Sequence, residues 1–226
     1  MTMLNALEAT GDKFDLEKFL EVRTMTRKAV HTIASQVQVG MAEEDAKEIA
    51  RETLSSLGMR RGWHHIIVRC GINTTKDFMA LSEKGVVLQP NDIFFVDIGP
   101  VHGDHEGDAG DTFVFGDDPE HHKAKHDAKA IWEIVRGKWF DTGMTGKDLY
   151  DFAIETAEAY GWKLNMDLSG HRLSEFPHSA HYDGPMADVD FRPAPKLWVL
   201  EIAILHPTRT FGAFYEDLLL EDQSFV

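Results

Sequence analysis

Cysteine is nearly absent from this 226-residue chain: Cys70 stands alone. A single thiol excludes an intrachain disulfide framework and fits a reducing compartment. Long apolar runs are missing too. No stretch approaches the roughly 18 consecutive apolar residues of a membrane-spanning helix. The first twenty residues, MTMLNALEATGDKFDLEKFL, lack the basic start and apolar run of a signal peptide. The expected setting is cytoplasmic, with no membrane partner. Positive charge is scarce, 23 Lys and Arg against 38 Asp and Glu, for a net charge of −15. That balance argues against a nucleic-acid partner, which needs a basic surface. There is no low-complexity linker; the most proline-rich piece, PAPK at 193–196, reads as a loop entering a strand. What remains is 43% hydrophobic, with 14 Phe and 5 Trp, enough for a substantial core. The length suits one large domain or two small ones.

Leu16, Phe19, Val22, Met25, Ala29, Ile33 and Val37 follow one another in steps of three or four, which predicts a helix over 14–38. A second helix is expected over about 42–57, stopped by Gly58. HHIIVRCGI (64–72) is β-branched and reads as a strand, QPND (89–92) as a turn. IFFVDIG and TFVFG then form a strand pair. Helices are expected over 119–140 and 145–160, and strands near 163–168, 196–205 and 211–220. This order predicts an α+β fold with an antiparallel sheet.

GMAEEDAKEIARETLSSLG (40–58) and GMTGKDLYDFAIETAEAYG (143–161) share seven residues at the same offsets. They are either unrelated amphipathic helices with a common cap pattern or the mark of an internal duplication. Asp97 lies 57 residues after Gly40, and Glu201 58 residues after Gly143. A duplication would make 1–226 one pseudo-twofold domain, with halves of about 14–116 and 119–222 and a site between them.

Acidic residues stand inside the expected strands. Asp97 follows IFFV, Asp108 precedes TFVFG, Glu201 interrupts LWVLEIAIL and Glu216 precedes LLL. A buried carboxylate is costly unless paired or metal-bound. Four of them cannot all ionise in one cavity without cations. Arg and Lys are scarce nearby, so metal is the expected neutraliser; oxygen ligands with a few imidazoles suit Mn, Co, Zn or Fe. Asp104, Glu106, His102 and His105 fall in the connecting turn and read as solvated, as do His121, His122 and His126 on a polar helix start. The pair His64–His65 carries little weight. SGHRLSEFPHSAHYDG (169–184) holds His171, His178 and His181 beside Gly, Ser and Pro, and at least one is expected in a site.

At these residues the chain resembles the pita-bread metallopeptidase family: methionine aminopeptidase, Xaa-Pro aminopeptidase, prolidase and the non-metal relative creatinase. D97-I-G and D108-A-G-D-T-F match the first motif, with the family's gap of eleven between the aspartates. G170-H171 and His178, seven residues on, resemble the next. Glu201 resembles the glutamate of Glu-Pro-Gly, and Glu216-Asp217 the last Glu-Asp strand. The likeness covers about residues 14–222 and includes only the catalytic domain, without the N-terminal domain of the Xaa-Pro branch. It implies a curved antiparallel sheet covered by helices, with two divalent ions in a central cleft. By the same resemblance Asp97, Asp108, His171, Glu201 and Glu216 are the metal ligands, Glu201 shuttles a proton, and His178 stabilises an oxyanion. A homodimer is an expected state of the Xaa-Pro branch.

Six positions depart from the motifs, one of them Ile202 where a proline follows the glutamate at 201. Asp111 stands for arginine, after Gly110 for threonine. Arg172 stands for glycine, Ser179 for glutamate, and Phe78 for a histidine. Phe78, Asp111, Arg172 and His181 are therefore candidate substrate contacts, Arg172 as partner of a substrate carboxylate. The expected function is a dinuclear metal hydrolase cleaving a peptide or amide C–N bond in a short peptide or small molecule. The alternatives are a metal enzyme of the same fold acting on a non-peptide small molecule and, behind both, a non-catalytic binding module.

Overall fold

In the computed structural model, which describes residues 5–221, the α-helices Leu16–Ala34, Pro119–Thr142 and Gly146–Ala159 each begin at a side chain that accepts from a free N–H group of the first turn. Residue 222, where the second half was expected to end, lies outside the described residues, as do the first four and last four residues. Helix α1 (Leu16–Ala34) opens on Asp15, whose carboxylate accepts from the N–H groups of Glu17 and Lys18. It stops short of residue 38, because Gln36 and Val37 turn back to the carbonyls of Ile33 and Ala34. Helix α2 (Glu43–Ser56) places three acidic residues in its first turn, at the positive end of the helix. Helix α3 (Pro119–Thr142) starts on proline, and helix α4 (Gly146–Ala159) takes its cap from the Thr145 side chain.

The strands are β1 (Arg61–Gly62), β2 (Ile67–Cys70), β3 (Asp92–Ile98), β4 (Pro100–His102), β5 (His105–Glu106), β6 (Ala109–Phe115), β7 (Lys163–Leu164), β8 (His171–Arg172), β9 (Trp198–Leu205) and β10 (Gly212–Leu218). Seven of them form an antiparallel sheet in the order β2-β3-β6-β10-β9-β7, with β8 also paired to β9. The short strands β1, β4 and β5 make a second sheet. The strand expected over 64–72 shrinks to β2, so His64 and His65 lie in the connection that precedes it. The strand expected over 163–168 shrinks to β7.

Side chains alternate across a strand, and that alternation divides the large sheet. One face meets the helices. Val22, Ala29, Ile33 and Leu54 of α1 and α2 pack on Val68, Phe94, Val96 and Ile98. Ile131, Trp132, Trp139 and Leu149 of α3 and α4 pack on Leu200, Ile202, Ile204 and Tyr215. Each such side chain contributes about 1.5–3 kcal/mol on burial. His121, expected in solvent, is part of this layer: it is 6% exposed and its ring meets Phe211 at 4.6 Å. One helical turn in from the α3 cap, it faces the sheet, while His122 and His126 stay exposed.

Two helices, a short strand and a long hairpin occur twice in order, as α1-α2-β2-β3-β6 and α3-α4-β7-β9-β10. The ends of α2 and α4 also match. Gly58 and Gly161 both have positive φ, and Met59 and Trp162 donate back to the carbonyls of Leu54 and Ala157. Among the described residues no helix is long and apolar enough to cross a membrane.

Candidate metal centre

Strand register sets the carboxylates in a row on the face away from the helices. Glu201 of β9 pairs with Glu216 of β10, Glu216 with Gly110 of β6, and Gly110 with Asp97 of β3. Directly paired residues share a face. Asp108, two residues before Gly110, falls on that face as well. The row lacks a side chain at 110, because a Cβ there would lie 2.4 Å from the Phe214 ring. Phe214 and the Glu216 carboxylate thus take the space that a side chain at 110 would need.

Glu201 is held from both ends. Its Oε2 accepts from the Gly170 N–H at 2.7 Å, and the Tyr150 hydroxyl bonds both its backbone N–H and its carbonyl. Gly170 has φ +71, and a Cβ there would meet the Val199 carbonyl oxygen at 2.7 Å, so glycine is required at this close approach.

His64 and His171 turn their Nε2 atoms to the row, and they and His178 are each anchored at Nδ1. His64 Nδ1 lies 2.7 Å from the His65 carbonyl oxygen, and His171 Nδ1 2.7 Å from that of Arg172. A carbonyl only accepts, so both Nδ1 atoms carry the proton. His64 Nε2 faces Asp97 and Asp108 at 3.5 and 3.4 Å, and His171 Nε2 faces Asp108 at 2.8 Å. His178 Nδ1 donates to Glu106 Oε2 at 2.7 Å, and its backbone N–H to Glu106 Oε1 at 3.0 Å. The Trp63 ring lies 4.4, 4.8 and 4.9 Å from His64, His171 and His178 and packs them into one wall.

Asp97, Asp108, His171, Glu201, Glu216, His178 and Phe78 line one cavity of about 260 Å³, together with Trp63 and His64. Phe78 packs on His64 and His65 at 5.6 and 5.1 Å. The other expected substrate contacts lie elsewhere. Arg172 is fully buried, donates to the Ala9 carbonyl, and faces the charges of Glu8, Glu175 and Glu106. Next to His171 on a strand, it must point the opposite way. Asp111 faces the helices for the same reason, one step in register from Gly110, with its carboxylate 3.7 Å from His31. His181 contacts Glu175 at 3.4 Å, outside the cavity lining. Ser179 is exposed.

Two residues of the expected solvated turn are buried instead. Glu106 is 0% exposed, and His105 is 4% exposed with its Nε2 accepting from the Asp15 N–H. The turn folds into β5, which the start of α1 covers. Asp104 is exposed as expected, bonded to Lys13, and His102 is half-buried. His64, Glu106 and Trp63 are the site residues the sequence reading passed over. Glu106 stands two residues before Asp108 but belongs to β5 of the second sheet, and its place is set by its bonds to His178 and Ser174. His64 had only its adjacency to Trp63 and His65 as a signal. Its position depends on β1 pairing with β4, and on Gly99, where a Cβ would come within 2.0 Å of its ring.

The electrostatics call for cations. Burial pushes Asp97 up to about 6, against the pull of His64. Burial pushes Glu201 up to about 7 against His171. Glu216 rises well above the carboxylate range through burial, then through Asp108, Asp97 and Glu201. Burial also works to raise Asp108, but hydrogen bonds from His171 and His64 outweigh it and hold it below its ordinary value. Burial disfavours the imidazolium forms, yet Asp97 and Asp108 lift His64 to about 8, and Asp108 lifts His171 to about 9. A neutral imidazole pinned at Nδ1 aims a bare lone pair at a carboxylate oxygen, and the two repel unless a proton or a metal ion lies between them. Glu216 Oε1 is buried with no hydrogen-bond partner. This oxygen and imidazole donor set fits a divalent metal. His64, Asp97 and Asp108 bring donor atoms within 4.8 Å of one another, and so do Asp108, His171 and Glu216, with Glu201 beyond both groups.

Among curated protein sequences no significant match is found. Solved structures give the fold. The X-Pro aminopeptidase from Thermotoga maritima superimposes with a TM-score of 0.78 at 20% identity, over 95% of this chain and 61% of that one. The prolidase from Pyrococcus horikoshii gives 0.74 at 18% identity, over 94% of this chain and 61% of that one. Methionine aminopeptidase from Thermotoga maritima gives 0.70 at 18% identity, over 92% and 93%. The chain therefore spans about three-fifths of the first two proteins and nearly the whole of the third. The model of metallopeptidase family M24 matches residues 17–220, and with that match, over the fold and the row of carboxylates just described, the chain belongs to this family.

Proposed function

We propose that the chain is a metal-dependent hydrolase that cleaves a peptide or amide C–N bond in a short peptide, as an aminopeptidase or Xaa-Pro dipeptidase does. The observation that carries this reading is the row of four buried carboxylates with two Nε2 lone pairs aimed at it. Asp97, Asp108, His171, Glu201 and Glu216 are the proposed ligands of two ions among Mn, Co, Zn and Fe. Two donor groups that share Asp108 support a pair rather than a single ion. When bound, the ions supply Lewis acidity toward a carbonyl oxygen and make water acidic enough to attack near neutral pH.

The protein supplies the rest. Glu201 keeps Oε2 on the Gly170 N–H, which leaves Oε1 to take a proton from the attacking water and pass it to the leaving amine. His178 presents its other ring nitrogen to the cavity while Glu106 accepts from Nδ1–H; with Nε2 protonated as well, the ring, paired with the Glu106 carboxylate, donates Nε2–H to a substrate carbonyl oxygen. Trp63 and Phe78 wall the cavity and limit its water.

Phe78 favours a second reading, a non-peptide small-molecule substrate, because it replaces the histidine of the resembled segment inside the cavity. Arg172, Asp111 and Ser179 do not add to that reading, since none lines the cavity. The test is a screen of Xaa-Pro, Met-Xaa and other dipeptides and of small amides, with protein reconstituted with Mn or Co. Cleavage that stops on chelation and returns with metal is the expected result. Metal-loaded protein that cleaves none of the peptides, yet turns over a non-peptide amide, would favour the second reading.

A further inference from the structure

A second pocket, of about 570 Å³, opens on the far side of His64. Arg51, Arg60 and Arg61 line it with His64 and His65, and no carboxylate does. In a chain with 38 acidic and 23 basic residues, a wall of this size without Asp or Glu departs from the average surface. Its cations are available. Among the described residues Arg51 is paired only with the exposed Glu48, a contact that competes weakly with a bound anion. Arg60 makes no ion pair among the described residues. Arg61 is oriented rather than neutralised: it donates to the Gly103 carbonyl and its guanidinium lies 4.6 Å from the Phe176 ring centre. The ring of His64 belongs to both pockets, so one imidazole separates the arginines from the cavity of the metal centre.

We propose that this pocket is an anion subsite of the same active site, and that the substrate is a peptide carrying a carboxylate close to its scissile amide. The proposal rests on the hydrolase reading and narrows it. Guanidinium groups match a carboxylate in shape and charge, and this pocket is lined by three of them. The selectivity that the sequence assigned to Arg172 falls instead to arginines that face a cavity.

Two measurements test it. The first compares kcat/KM on matched dipeptides with a neutral or an acidic side chain, each as free acid and as C-terminal amide. Wild type should prefer one acidic form, and the pattern tells a side-chain carboxylate from a terminal one. Arg60→Gln/Arg61→Gln should lower the acidic-to-neutral ratio by about tenfold or more. Arg51→Gln/Arg60→Gln, which keeps the Arg61 hydrogen bond, should lower it in the same direction. The second measurement is calorimetric binding of glutarate to metal-loaded protein, which needs no turnover. Wild type should bind in a salt-sensitive manner, and both variants should bind about tenfold more weakly. Arginine-dependent glutarate binding without cleavage of any amide would sink the hydrolase reading and keep the anion site. Cleavage with no acidic preference, and equal glutarate binding by wild type and variants, would overturn the anion site and leave the hydrolase standing.

Discussion

A neutral imidazole offers a metal ion its lone pair at one nitrogen only when the other keeps its proton. His64 and His171 meet that condition through backbone carbonyls. The partner of His178 is the Glu106 carboxylate, which suits a ring that donates at both nitrogens. Glu106 is thus a positioning residue: it accepts from the ring and the backbone of His178 and touches neither donor group of the centre. Glu106→Gln should lower kcat by about tenfold or more, with bound metal unchanged. A parallel loss of metal would show that Glu106 acts on the centre and not through His178. The row of buried carboxylates was legible at this scale, because a carboxylate inside an apolar strand needs a neutraliser wherever the chain folds. Arg172 was misjudged for an equally local reason. Adjacency to His171 suggested the cleft, but neighbours on a strand face opposite ways, and Arg172 turns under the segment that contains Glu8 and Ala9.

Elements decide which of these residues meet. The ends of α2 and α4 match, the order of helices and strands repeats, and each set of elements lends carboxylates to the row. The long helices and the strands of the row were readable from period and capping, since both signals are local. The place of His64 was not, because it is set by the pairing of β1 with β4, about forty residues apart in the sequence. Between β6 and β10 the packing has traded one side chain for another: Gly110 has none where Phe214 intrudes. Gly110→Thr should therefore destabilise the protein by about 1–3 kcal/mol, the cost of overpacking a core position that cannot move aside. Adding Phe214→Ala should recover part of that loss, as a thermal unfolding series will show. If Gly110→Thr unfolds at the wild-type temperature, the contact is not a constraint.

Over the whole molecule the centre links stability to pH. Glu201 has a folded value of about 7 against an ordinary 4.5, His64 about 8 and His171 about 9 against 6.5. Asp97, at about 6 against 3.8, shifts the same way. A raised folded value means that the fold holds the proton more tightly than the unfolded chain does. The stabilising contribution is full below the unfolded value and is lost as pH rises through the folded one. All four groups act in one direction, so metal-free protein should lose stability from roughly pH 4 to pH 9 on their account. Asp108, held below its ordinary 3.8, acts outside that window. Bound metal takes the place of the protons, and its affinity should rise with pH. The increase in Tm on adding Mn should therefore be larger at pH 8 than at pH 5.5; an equal increase at both would contradict this linkage.

The central claim is that the buried row is a metal centre. Its most direct test is the divalent metal retained per chain by protein reconstituted with Mn or Co and then washed extensively. Wild type should retain two ions, and Asp108→Asn, which weakens the carboxylate common to both donor groups, should retain fewer. Folded wild-type protein that retains none, and whose Tm does not respond to either metal, would contradict the account.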